Sequence, residues 1–161
     1  MLYLSPFTIN IYTILLQAIY THSMNINISP QDASISVLLL NNQDGIQTPE
    51  FTANWNRANK RYCADGALRL LKHMHVSLLP DYLIGDLDSV DKQDLQDFEE
   101  SGVGKVVKVA SQDLTDFEKC ISVYRDTREC EDEWLLVYGA MGGDRLDHTM
   151  AAFHVLVGNL D

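Results

Sequence analysis

Short apolar runs alternate with longer segments whose apolar residues recur at helical spacing, from Ala33 onward. Five runs have the length and composition of buried strands: SISVLLLN, RYCADG, PDYLIGD, KVVKVA and EWLLVYGA. Helical periodicity marks five further segments, one after each run: PEFTANWNRANKR, ALRLLKHM, DKQDLQDFEESG, TDFEKCISVYRDTREC and DHTMAAFHVLVG. Pro49 suits the first turn of the first helix, and Gly102 suits the end of the third. The pattern predicts a regular alternation of strands and helices.

This alternation predicts the fold class. Strands that are joined by single helices are expected to run parallel, and strands that are apolar throughout are covered on both faces. We therefore expect an α/β fold, a doubly wound and mainly parallel sheet with helices on both faces. Residues 33–161 are assigned to this domain, and residues 1–32 to an apolar N-terminal extension.

The first twenty residues carry no charged side chain. A secretory signal peptide would begin with a basic segment, which is missing here. A membrane span would contain fewer polar residues and prolines than this stretch, which has Ser5, Pro6, Thr8, Asn10, Thr13 and Gln17. A loosely docked extension, a targeting segment and a membrane segment remain alternatives, and Met24 is an alternative first residue. For the domain itself we expect no membrane partner.

The charge of the chain argues against nucleic acid as a partner. Acidic residues number 23 and basic residues 12, which gives a net charge of −11, and the basic residues are dispersed. Such a chain repels nucleic-acid phosphates. It can still bind an anionic nucleotide if a divalent cation lies between the two.

The 3 cysteines form no CxxC pair and leave an odd count. This pattern favours a reducing compartment, which we take to be the cytoplasm. It argues against a disulfide scaffold or a zinc site.

Acidic residues and glycines follow the predicted strands. Asp65 follows the second strand, Asp86 and Asp88 the third, and Asp113 and Asp116 the fourth, while the glycine-rich GAMGGDRLDH follows the fifth. Ligands of open α/β sheets bind beyond the carboxyl ends of the strands. We expect these segments to converge at one edge of the sheet.

The segment GDLDS places Asp86 and Asp88 two residues apart, so that both side chains of an extended segment point the same way. Magnesium prefers oxygen ligands, commonly one or two carboxylates together with substrate phosphates. The alternative is structural, because aspartate also favours turns and helix caps.

The segment SQDLTDFEKC contains a capping box, Thr115 with Glu118, which predicts a helix start. Backbone amides at a helix start suit a phosphate group. Lys119 lies one turn from Asp116 and can pair with it or reach a phosphate. The alternative is a cap with a surface ion pair.

The segment GAMGGDRLDH is rich in glycine, as loops that surround phosphates are, but it is not a Walker A loop. Arg145 suits a phosphate or the carboxylate of Asp147. His148 is either a base or, more commonly for this position, a cap or packing residue.

Taken together, these segments resemble the thiamine pyrophosphokinase family. The resemblance rests on four segments in the family's order: CADG (63–66), PDYLIGDLDS (80–89), SQDLTDFEKC (111–120) and GAMGGDRLDHTMAA (139–152). It implies a Rossmann-like catalytic domain that binds ATP and thiamine. It also implies a homodimer with sites between subunits and a further C-terminal β-sandwich domain. Because the sequence given stops at Asp161, we expect it to lack the sandwich.

The resemblance also implies roles for residues. The thiamine hydroxyl attacks the β-phosphorus of ATP and AMP leaves, with Mg²⁺ held by Asp86, Asp88 and Asp116. The implied catalytic residues are Asp86, Asp88, Asp113, Asp116, Arg145 and Asp147. The implied nucleotide-binding and phosphate-binding residues are Asp65, Gly66, Ser89, Gln112, Thr115, Lys119, Gly142 and Gly143.

Three alternatives stay open at this point. The chain can be a truncated or degenerate nucleotide-binding module, since the family's first motif usually continues Asp-Gly-Gly-Ala-Asn whereas Gly66 leads into ALRLL. It can be a magnesium-dependent nucleotide or phosphate hydrolase that uses the same acids. It can also be a structural α/β domain with acidic turns.

Overall fold

The computed structural model of the protein describes residues 34–43, 46, 48–74, 76–111, 113–130, 133–140, 150–152 and 154–155. These residues contain five strands: β1 (Ile35–Leu39), β2 (Arg61–Ala64), β3 (Tyr82–Gly85), β4 (Lys105–Lys108) and β5 (Trp134–Tyr138). The strands form one sheet in the order β4-β3-β2-β1-β5, and all four pairings are parallel. The predicted parallel α/β fold is confirmed.

Helices connect the strands as the pattern predicted. They are α1 (Pro49–Arg57), a 3₁₀ turn (Asp65–Ala67) that leads into α2 (Leu68–His73), α3 (Lys92–Ser101) and α4 (Asp116–Thr127). Residues 150–152 and 154–155 are also helical, in agreement with the helix predicted after the fifth strand, but the rest of that segment lies outside the described residues.

The first and fourth helices cover opposite faces of the sheet. On one face Phe51 of α1 meets Tyr138 edge-on, with ring centroids 4.9 Å apart. On the other face Tyr124 of α4 meets Tyr62 edge-on at 5.6 Å. The strand register places Tyr138 and Tyr62 beside consecutive residues of β1, whose side chains point to opposite sides. Helices therefore pack on both faces, as a doubly wound fold requires.

The strand order also shows where the direction in which strands are added to the sheet reverses. Strands β2, β3 and β4 are added in turn on one side of β1, and β5 is added on the other side. The carboxyl ends of β2 and β3 are neighbours, because Ala64 is in register with Ile84. The acidic residues that follow these two strands are thereby brought next to each other.

Side-chain hydrogen bonds fix the ends of α1. The hydroxyl of Thr48 accepts the amide of Phe51 and starts the helix. We predicted a helix that runs to Arg61, which is four residues too long. Instead the Arg61 guanidinium donates to the carbonyls of Trp55 and Ala58, both at 2.9 Å, and thereby satisfies carbonyl groups at the helix end. The chain can then enter β2 at once.

Two other predicted helix ends are confirmed. Thr115 and Glu118 form a reciprocal capping box at the start of α4, with Glu118 accepting the Thr115 amide at 2.7 Å. Gly102 ends α3 in the left-handed conformation, at a φ of 63°. Glycine adopts this conformation without the steric penalty that a Cβ atom brings.

Within the described part of the chain, no helix is long and apolar enough to cross a membrane. The predicted N-terminal extension, residues 1–32, lies outside the described residues.

The cap of α1 gives a simple test of the fold. Thr48→Ala removes the acceptor for the Phe51 amide, and we expect it to lower the free energy of unfolding by about 1 kcal/mol. Thr48→Ser keeps the hydroxyl and should stay close to the wild type. Urea denaturation of the three proteins measures the difference; equal stability of all three would show that the cap contributes nothing.

Candidate active site

Three carboxylates meet at the carboxyl edge of the sheet. Asp65 follows β2 directly, Asp86 follows β3 directly, and Asp88 lies two residues further on. Each of the three offers a carboxylate oxygen that lies within 4.8 Å of those of the other two. These are three of the acidic residues that the strand pattern placed at one edge of the sheet. We call them the acidic trio: Asp65, Asp86 and Asp88.

Asp65 is the buried member of the acidic trio, with only 1% of its surface exposed. One carboxylate oxygen accepts the amide of Gly66 at 2.6 Å, and the other accepts the amide of Leu87 at 2.8 Å. Burial raises the pKa of Asp65. The two amide bonds oppose that rise, and the nearby charges of Asp116 and Asp86 add to it. The hydrogen bonds thus compensate part of the cost of burying this group.

Gly85 leaves the space that the Asp65 carboxylate occupies. A Cβ atom built on Gly85 would lie 2.3 Å from the carboxyl carbon of Asp65, which is closer than atoms of these types can approach. The last residue of β3 must therefore be glycine for Asp65 to keep its position.

The loop after β3 folds back on itself. Leu87 adopts a φ of 69°, the one residue other than glycine with a positive φ among the described residues. The amide of Asp88 donates to Asp86 at 3.3 Å, and the Ser89 hydroxyl donates to Asp88 at 3.0 Å. These bonds orient the carboxylates of Asp86 and Asp88, the two more exposed members of the acidic trio.

Lys119 of α4 supplies a buried positive charge. Its ammonium group lies 3.1 Å from Asp86 and 3.3 Å from Asp116, and the residue is 3% exposed. Burial lowers the pKa of Lys119, but the bonds to the two aspartates outweigh this effect and leave the pKa above its ordinary value. The bond from Lys119 is also the largest cause that lowers the pKa of Asp86. Both partners are therefore held in their charged forms.

A cleft of about 310 Å³ opens beside Asp65, the one member of the acidic trio that lines it. Its lining combines predicted site residues with others that we did not predict: Asp65, Gly66, Ser89, Arg69, Val90, Asp91 and Asp94. The space at Gly66 is tight, since a Cβ atom there would lie 2.7 Å from the side-chain nitrogen Nδ2 of Asn41. Arg69 also donates to Asn41, at 3.4 Å.

The remaining predicted residues are placed as follows. Asp116 is joined to the acidic trio through Lys119 rather than being a member of it. The Thr115 hydroxyl is engaged by Glu118 in the capping box. Asp113 is exposed and makes no hydrogen bond or ion pair with other described residues. Five predicted site residues lie outside the described residues: Gln112, Gly142, Gly143, Arg145 and Asp147.

Sequence reasoning missed two features of the site. The pairing of Lys119 with Asp86 joins residues 33 positions apart, so no local spacing indicates it. The left-handed conformation of Leu87 has no signal in the sequence either, because leucine rarely adopts it. Gly85 did have a signal, as a glycine directly after an apolar strand.

Residues 51–160 match a family described as thiamin pyrophosphokinase, catalytic domain. This match covers more than half of the chain. The chain belongs to the thiamin pyrophosphokinase family.

Curated relatives carry the same family name. Thiamine pyrophosphokinase 1 of Oryza sativa subsp. japonica is 32% identical over 141 residues, which cover 77% of this chain and 52% of the relative. Thiamine pyrophosphokinase of Saccharomyces cerevisiae is 31% identical over 100 residues, which cover 58% of this chain and 31% of the relative. The chain thus spans about a third to a half of the length of these thiamine pyrophosphokinases.

Solved structures of thiamin pyrophosphokinases share the fold. The crystal structure of the yeast thiamin pyrophosphokinase matches with a TM-score of 0.65 at 24% identity, over 80% of this chain and 55% of that one. Thiamin pyrophosphokinase from Candida albicans matches with a TM-score of 0.60 at 24% identity, over 82% of this chain and 59% of that one.

Lys119 gives the first test of the site. Lys119→Met keeps the length of the side chain but leaves Asp86 and Asp116 without their cation. We expect it to lower the free energy of unfolding at neutral pH by about 1–2 kcal/mol, less than for a fully buried pair, since Asp116 is 46% exposed. Lys108→Met, on the exposed side of β4, is the control for the change in net charge.

The pH dependence of this loss has a defined sign. A carboxyl group whose pKa is lowered by folding contributes stability above its unfolded pKa, and this contribution disappears as the pH falls through the folded pKa. The difference between the wild type and Lys119→Met should therefore shrink below pH 3.8, the ordinary pKa of an aspartate. Urea denaturation of both proteins from neutral pH to below pH 3.8 measures this difference in stability. A difference that does not depend on pH would contradict the ion pair.

Proposed function

We propose that this chain supplies the catalytic part of a thiamine pyrophosphokinase. In this reaction the hydroxyl oxygen of thiamine bonds to the β-phosphorus of ATP. The bond from that phosphorus to the oxygen that bridges to the α-phosphorus breaks, and the products are thiamine diphosphate and AMP. Membership of the family supports the reaction class, and the acidic trio, with a cleft beside Asp65, supports a site for it.

The acidic trio fits a divalent cation such as Mg²⁺. Its donor atoms are carboxylate oxygens, which hard cations prefer, and they lie within 4.8 Å of one another. We propose Asp86 and Asp88 as the residues that hold the ion, with Asp116 nearby through Lys119. When bound, Mg²⁺ neutralises the phosphate charge that a chain of net charge −11 would otherwise repel.

The residues of this site act mainly by position and charge. Lys119 orients the Asp86 carboxylate and adds a positive charge at this edge. The start of α4 is linked to the same edge, since Lys119 joins Asp116 to Asp86, and the unpaired amides of a helix start suit a phosphate oxygen. An aspartate of this edge takes the proton of the thiamine hydroxyl, and Arg145, with Asp147 orienting it, meets the charge on the transferred group.

Three further features belong to this proposal. The enzyme binds ATP and thiamine, works as a homodimer with its sites between subunits, and acts in the cytoplasm. The cysteines agree with a reducing compartment: Cys63, Cys120 and Cys130 are all free. Light scattering of the purified chain, with and without both substrates, tests the dimer.

The activity itself is tested with the purified chain, thiamine, Mg²⁺ and ATP. We expect thiamine diphosphate and AMP in equal amounts. Release of inorganic phosphate or pyrophosphate without an acceptor would indicate a hydrolase. Nucleotide binding without any product would indicate a module that needs the rest of a longer chain, or a degenerate copy.

Asp88→Asn tests the role of the acidic trio. We expect this variant to lose roughly 100-fold or more in kcat, the scale for removing one electrostatic contribution to a transition state. The fold should persist, because the change removes one negative charge from a crowded acidic edge. Glu99→Gln is the control, because Glu99 is exposed on α3 and the substitution also removes one negative charge.

Thermal melts separate binding from catalysis in these two variants. Magnesium-ATP should stabilise the wild type and Glu99→Gln but not Asp88→Asn. Equal stabilisation of all three proteins would show that Asp88 holds no metal.

A further inference from the structure

We propose that Asp65 is a positioning residue, which fills the space beside Gly85 and holds Leu87 in its left-handed conformation, so that Asp86 and Asp88 face one cation. The inference deepens the proposed function and rests on it for the identity of the cation. Neither Gly85 nor Leu87 has a polar side chain, yet both are needed for this arrangement.

The position of the Asp65 carboxylate supports this role. Both of its oxygens already accept backbone amides, at 2.6 Å from Gly66 and at 2.8 Å from Leu87. The residue is 1% exposed, whereas Asp88 is exposed and Asp86 is half-buried. Of the acidic trio, Asp65 is therefore the buried member, with both oxygens bonded to backbone amides. Asp86 and Asp88 also accept hydrogen bonds, from Lys119 and Ser89, but they are the more exposed members and the ones that a ligand can reach.

The backbone of Leu87 shows what Asp65 holds. At a φ of 69° the Cβ atom of leucine crowds its own backbone, so this conformation persists only where the surroundings determine it. The hydrogen bond from the Leu87 amide to Asp65 joins the loop after β3 to the residue after β2. Without it, the loop would relax to a conformation in which Asp86 and Asp88 no longer flank the same point.

Gly85 leaves the space that the side chain of Asp65 needs. A Cβ atom at this position would overlap the Asp65 carboxylate at 2.3 Å, so the side chain of Asp65 reaches Leu87 only across a residue that has no side chain. Three residues on two neighbouring strand ends thus set the geometry of one loop.

The hydrogen bond is tested directly by NMR spectroscopy of metal-free protein labelled with ¹⁵N-leucine, in which the Leu87 signal is identified by its loss in Leu87→Gly. We expect a downfield amide proton that exchanges slowly with solvent in the wild type. In Asp65→Asn the signal should move upfield and exchange faster. An unchanged Leu87 signal in Asp65→Asn would overturn the proposed bond.

The effect on cation binding is tested by two substitutions that leave every carboxylate in place. Leu87→Ile puts a β-branched residue at a positive φ, where it is strongly disfavoured, whereas Leu87→Gly removes the steric conflict. We expect Leu87→Ile to weaken Mn²⁺ binding, measured by electron paramagnetic resonance, by about 10- to 100-fold, the usual effect of losing the support of a metal ligand. Leu87→Gly should bind Mn²⁺ like the wild type.

This order is the reverse of what a packing role predicts, since isoleucine replaces more of the leucine volume than glycine does. The exposed Leu79 before β3 provides the matched control. Leu79→Ile and Leu79→Gly should both leave Mn²⁺ binding unchanged, and Leu79→Gly should melt at a lower temperature than Leu79→Ile. At position 87 we expect the opposite melting order.

The outcomes separate this inference from the proposed function. Mn²⁺ binding by Leu87→Ile that equals or exceeds that of Leu87→Gly would overturn the positioning role. Absence of Mn²⁺ binding by the wild type would overturn the proposed magnesium site instead. The Leu87 amide signal and the melting order would then still support or overturn the link between Asp65 and Leu87.

Discussion

The carboxylate of Asp65 is the constraint on which the site depends. A negative charge that is 1% exposed must be hydrogen-bonded, and here two backbone amides bond it. One amide belongs to the turn after β2 and the other to the loop after β3. The same contact that makes the buried charge tolerable therefore fixes how the two loops lie against each other, and Gly85 provides the space for it.

The negative charge of the site is offset in part by a lysine of the protein. Lys119, buried on α4, lies between Asp86 and Asp116. Its ammonium group pairs with both carboxylates, which come from different parts of the chain. The pKa values of the neighbouring Asp65 and Asp86 shift in opposite directions, for different reasons. That of Asp65 rises because the group is buried, and that of Asp86 falls because of Lys119. The proposed divalent-cation site rests on this charge pattern.

Local signals located several elements correctly, and contacts between distant residues decided the rest. The capping box of Thr115 and the glycine at position 102 fix two helix ends by bonds within a few residues, so they could be predicted. The end of α1 could not be predicted, because it depends on where the Arg61 side chain lies after the chain has turned into β2. For the same reason the partner of Lys119 was predicted only in part: Asp116 is one helical turn away, whereas Asp86 is on another element.

The sequence by itself determined the parallel α/β fold, the family and the edge where the acids gather. The fold and the edge follow from the period of apolar residues and from the rule that parallel strands place their carboxyl ends together. The family follows from the resemblance of four segments, at 63–66, 80–89, 111–120 and 139–152. Only the tertiary structure decided the different environments of the individual aspartates. Whether an aspartate is buried and bonded to amides, paired with a lysine or open to solvent depends on side chains that approach from other strands and helices, and no spacing along the chain encodes those approaches.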